Sequence, residues 1–135
     1  MDDDLPTELV EGATLRGKEY GWSIPASPNA LSKAEVHGYA CLGGQFQFRL
    51  DDSTCEMYWL AADSDARADN ESWTDYSHRS CSEVLQSFRR LVPNTDCHKE
   101  SANWTLPIDP ITNLVFVAYF VSETDWVRLS TRDSK

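Results

Sequence analysis

From residue 45 to residue 61 apolar and polar side chains take turns along the chain. Phe46, Phe48 and Leu50 alternate with Gln45, Gln47 and Arg49, and Cys55, Met57, Trp59 and Ala61 alternate with Glu56, Tyr58 and Leu60. A period of two is the pattern of a half-buried strand. The stretch therefore predicts strands over 45–50 and 55–61, joined as an antiparallel hairpin by the four-residue turn "DDST". "YACL" just before it predicts a further strand, with Gly43-Gly44 as the tight turn between them, since such turns need positive φ. Residues 114–121, "LVFVAYFV", are β-branched and aromatic on both alternating faces, as expected of a central strand covered on two sides. "SETD" reads as a turn into a last strand over 126–130, and Tyr20, Trp22 and Ile24 alternate over a short extended segment.

Two segments carry the helical period instead. In 28–37, Ser27 is suited to cap the N-terminus, Pro28 suits the first helical position, and Leu31, Ala34 and Val36 face inward. His37 in the last turn and Gly38 beyond it suit the C-terminal end. The longer helix is 73–92, where Trp73, Tyr76, Cys81, Val84, Leu85, Phe88, Leu91 and Val92 form one stripe. Ser72 caps it, Asp75 lies in its first turn, and Pro93 ends it. Residues 94–112 form a long connection containing Trp104, Pro107 and Pro110.

These elements add up to an α+β fold: an antiparallel sheet of about four to six strands with two helices packed on one face. Trp22, Trp104 or loops are expected to cover part of the other face. The 135 residues suit a single domain, 1–135, with 1–12 as a loose acidic lead-in.

Composition narrows what such a domain can do. Twelve basic residues face twenty-two acidic ones, for a net charge of −10. Eight of the acids and only one basic residue fall within 51–75. A field of that sign repels nucleic acid and anionic membrane and attracts a basic protein. The longest apolar run has eight residues, against the about 18 that a membrane helix needs. The opening "MDDDLPTELVEG" has neither the basic start of a secretory signal nor the arginines of a presequence. A cytoplasmic protein with Cys41, Cys55, Cys81 and Cys97 as reduced thiols is the expectation.

The motifs that could carry chemistry are each incomplete in this chain. Gly43-Gly44 lacks the Lys-Ser/Thr of a phosphate loop and precedes a strand, so no helix dipole faces it. His78, Cys81, Cys97 and His98 do not have the spacing of a zinc site. From Asp63, a calcium loop would need an acid at Arg67, a glycine at Ala68 and a glutamate at Thr74. Cys41 and Cys55 have no neighbouring cation or helix N-terminus in sequence to activate them. No cofactor and no metal are expected.

What remains is a surface in which acids are interleaved with aromatic residues: Asp51, Asp52, Tyr58, Asp63, Asp65, Asp69, Glu71 and Asp75. Trp59 and Trp73 are expected in the core, and an aromatic left exposed beside the carboxylates would anchor a protein partner. In kind, though through no motif, the chain resembles bacterial toxin-immunity proteins, which are small, acidic and α+β. The expectation is a non-enzymatic binding or inhibitor protein of immunity or antitoxin type, a monomer or homodimer. It would block a basic partner such as a toxin or another nucleic-acid-binding protein. The alternative is a small enzyme or small-ligand-binding protein using a Cys/His-containing cleft between the sheet and loop 94–112.

Overall fold

A computed structural model describes residues 5–133 of the chain. In chain order the elements are α1 (Thr7–Val10), β1 (Ala13–Arg16), β2 (Glu19–Ser23), α2 (Ser27–Val36), β3 (Ala40–Arg49) and β4 (Thr54–Asp63). They continue with α3 (Trp73–Asn94), α4 (Cys97–Ser101), β5 (Leu114–Val121) and α5 (Glu123–Asp133). The five strands form one antiparallel sheet in the order β1-β2-β5-β3-β4, with helices packed on it, which is an α+β fold. The apolar run 114–121 is the central strand.

Alternation decides which face receives the helices. Phe46 and Phe116 point to the same side and meet Phe88 of α3 at ring separations of 5.6 and 5.0 Å. Phe48, Cys55, Met57 and Phe120 join that core, as do Leu31 and Ala34 from α2. Trp22 also belongs to this side: it meets Phe120 edge-on at 5.5 Å, and its Nε1 donates to the Leu9 carbonyl at 3.0 Å. Trp104 packs against the same core, so neither tryptophan covers the opposite face. Leu9, within the expected lead-in, is buried there, while residues 1–4 of that segment lie outside the described residues.

The opposite face is covered by the coiling of the sheet itself. Arg16 of edge strand β1 donates to the carbonyls of Leu50 and Ser53 and to Thr54 Oγ1, at the start of the other edge strand, β4. A right-handed twist carried through five strands brings the two edges together in this way. Gln47 and Arg49, which alternation sets on the face away from Phe46 and Phe48, are therefore buried beneath the β1–β2 hairpin.

Four further expectations change. Gly43-Gly44 is no turn: both residues lie inside β3, where Leu42 and Gly43 together oppose the single residue Tyr119 of β5. This is a bulge, and Gly43 takes φ +141° there. Residues 126–130 are helical, because Ser122 Oγ accepts from the Asp125 N–H, and acids occupy the first turn of α5. Trp126 and Leu129, one turn apart, then pack with Ala40, Tyr76 and Val121. Ser27 opens α2 without capping it, since its hydroxyl donates to the Ser23 carbonyl instead, and Val36 is exposed.

Candidate functional site

The acidic loop after β4 is built around one arginine. Ser72 accepts from the Asp75 N–H and starts α3, which places Arg79 two turns along. Its guanidinium holds both Glu71 carboxylate oxygens, at 2.7 and 2.8 Å, and Glu83 at 2.8 Å. It also donates to the carbonyls of Asp65 and Ala66. Glu71 in turn accepts from the Ala68 N–H, and Arg67 lies over the rings of Trp73 and Trp126 at 5.4 and 4.7 Å. The Arg79 hydrogen bond holds the Glu71 carboxyl at a pKa of about 2, and Glu71 holds the arginine above its usual range. Glu71 is thus spent on shaping the loop. Asp63, Asp65, Asp69 and Asp75 are exposed around it.

Tyr58 belongs to a different part of the surface. Opposite the Gln45–Phe46 step of β3, β4 carries three extra residues, Tyr58, Trp59 and Leu60. The bulge breaks the alternation that assigned Trp59 to the core. Tyr58 is 67% and Trp59 56% exposed, side by side on an edge strand. The phenol donates to Glu56, and the Trp59 indole N–H donates to Glu100 at 3.0 Å. Asp51 and Asp52 lie exposed in the turn before β4, and Asp63 ends that strand. Between its ends β4 keeps step with Gly43–Arg49 of β3, so at about 3.3 Å per residue the ends that carry the two acidic groups lie about 20 Å apart. The aromatic pair lies between them. Glu56, Trp59 and Glu100 carry no sequence signal of this role, because only the bulge and the packing of α4 bring them together.

Thiol chemistry finds no support in the electrostatics. Cys41, Cys55 and Cys81 are buried and Cys97 is half-buried, all four as free thiols. Burial raises each thiol pKa, that of Cys81 to about 12. For Cys97 the neighbouring Asp96 and Glu100 push it further up. A reactive cysteine needs the reverse. His78 is bonded to Glu35 at 2.9 Å, which raises its pKa, and His37 pairs with Glu8. Among the described residues no three or more His, Cys, Asp or Glu converge as a metal site. A cleft does lie where loop 94–112 meets the sheet, with a volume of about 700 Å³ and with Cys97 and His98 on its wall. No described helix is long and apolar enough to cross a membrane.

No protein-family model matches the chain, and no curated protein or solved structure matches it either.

Proposed function

We propose that this chain is a non-enzymatic acidic binding protein that docks its β4 edge on a basic surface of a partner protein and blocks it. The observation that carries this reading is the exposed pair Tyr58–Trp59, set between the carboxylates of 51–52 and those of 63–75. Aromatic side chains are the commonest anchors of protein interfaces, and flanking charge of one sign speeds encounter with a partner of the other. The Arg79 clamp supports the same reading, since a loop already held in one shape loses less entropy on docking. Raised thiol pKa values weigh against covalent catalysis.

The partner class that fits is a nucleic-acid-binding protein, whose cationic site normally receives phosphates. Carboxylates laid over that site would compete for it, as an immunity or antitoxin protein does in a bacterial cytoplasm. The test is capture from extract of the source organism with wild-type protein and with the Tyr58→Ala/Trp59→Ala double variant. Any captured protein is then assayed for its own activity. The reading expects a basic partner that is lost in high salt, lost with the double variant, and inhibited by the wild-type chain. A partner held equally by the double variant would sink it.

A further inference from the structure

Two arginines in this acidic protein are held without a carboxylate. Arg49 is only 8% exposed, and its guanidinium donates to neutral acceptors throughout. These are the Thr14 carbonyl at 2.7 Å, Thr14 Oγ1 at 3.1 Å, the Glu19 carbonyl at 3.0 Å and Gln47 Oε1 at 2.8 Å. Among the described residues, Arg16 likewise donates only to Leu50, Ser53 and Thr54. Neither forms an ion pair with any described carboxylate. The nearby Glu19 carboxylate accepts from Tyr119 instead, at 2.7 Å. Behind Arg49, the fully buried Gln47 leaves its Nε2 without a partner among the described residues.

Buried charge is ordinarily paired, because taking a cation out of water costs several kcal/mol. Here both arginines line one cavity of about 200 Å³, together with Thr14, Thr112, Asn113 and the exposed Asp51. Arg16 uses Nη1 and one Nη2 hydrogen in its bonds, so donors remain on it. Thr14, Thr112 and Val115 also line the cleft of about 700 Å³, so the two spaces adjoin. The cleft walls include Ile24, Pro25, Leu114 and Ile111, the last 74% exposed. Its volume lies in the about 300–1,000 Å³ range of small-molecule sites.

We propose that this composite space binds a small organic carboxylate, with its carboxyl group between Arg16 and Arg49 and its apolar body in the cleft. Arginine presents a planar fork that matches a carboxylate. A single negative charge suits the site better than a phosphate dianion, because Asp51 lines the cavity and the whole chain carries −10. Burial and the repulsion of Arg16 lower the Arg49 pKa, with Glu19 opposing, which agrees with a positive field in need of an anion. The site uses none of the side chains of the proposed docking edge except Asp51, so each reading can fail alone.

Titration calorimetry with octanoate, phenylacetate, octanamide and inorganic phosphate tests this on the full chain. Saturable binding of octanoate or phenylacetate is expected, with octanamide and phosphate each at least about tenfold weaker. Arg16→Gln should weaken carboxylate binding at least about tenfold, the loss of one charge-assisted hydrogen bond. Should that variant fold poorly, Ile111→Asp on the exposed cleft wall should give a comparable loss with an unchanged circular-dichroism spectrum. Failure of both carboxylates to bind, octanamide or phosphate binding as tightly, or folded variants that bind carboxylate like wild type would each overturn the proposal.

Discussion

The ring of Phe116 lies so close over Gly44 that a β-carbon there would sit 2.4 Å from its Cζ and 2.6 Å from the Val117 carbonyl oxygen. A ring can turn, but a central-strand carbonyl cannot. Gly44→Ala should therefore destabilise the fold by about 3 kcal/mol, the upper end of an overpacking cost. Gly43→Ala, at φ +141° with the Ala62 carbonyl 3.3 Å away, should cost less, about 1–2 kcal/mol. Adding Phe116→Leu to Gly44→Ala should recover only part of the loss. Urea midpoints at constant slope measure all three, and full recovery would show that the carbonyl contact is unimportant.

That glycine pair also shows where the sequence is legible and where it is not. Periodicity located 114–121 as the central strand and the long helix from Trp73, because each needs only its own side chains to state its pattern. Gly-Gly is ambiguous by nature: a turn, a bulge and a close approach all call for the same residue, and β5 decides among them. "SETD" held a readable helix start, with Ser122 as cap and acids after it, that a turn reading overlooks. Of the surface, the acidic loop was readable. Trp59 was not, because a three-residue bulge reverses its face. The burial of Arg49 depends on the sheet coiling far enough for Arg16 to reach Thr54, a relation no local pattern encodes.

Acid should reveal the clamp between Arg79 and Glu71. The folded Glu71 carboxyl titrates at about 2 against an ordinary value of 4.5. A depressed carboxylate stabilises the fold fully above its unfolded pKa, and that contribution drains away as pH falls toward the folded value. The stability gap between wild type and Glu71→Gln is therefore expected to be constant above pH 4.5, to shrink below it, and to vanish near pH 2. Urea melts across that range check it. A gap that widens on acidification would contradict the assignment.

Thiol labelling should follow burial. Near neutral pH, Cys41, Cys55 and Cys81 are expected to stay unlabelled until the protein unfolds, and half-buried Cys97 to react more slowly than a free cysteine. Labelling of single-cysteine variants separates the four. A folded-state thiol that outpaces free cysteine would revive catalysis as the reading of the Cys97–His98 cleft.

Charge and aromatic contacts should separate in the kinetics of partner binding. The side chains of Asp63, Asp65 and Asp69 are exposed and make none of the clamp's hydrogen bonds, Asp65 entering it only through its backbone, so reversing them to Lys keeps those bonds. Glu71 must be kept, because its reversal would break that clamp and confuse folding with binding. The triple reversal is expected to slow association about tenfold and to flatten its salt dependence, with little change in dissociation. Tyr58→Ala and Trp59→Ala should act the other way, speeding dissociation by about 30-fold, the equivalent of about 2 kcal/mol at a hot spot. Neither set touches the core, so unfolding free energies should hold within about 0.5 kcal/mol. Surface plasmon resonance at several salt concentrations resolves the two rates. If reversal of the acids instead changed only dissociation, the carboxylates would be direct contacts, and long-range steering would no longer explain why this edge is acidic.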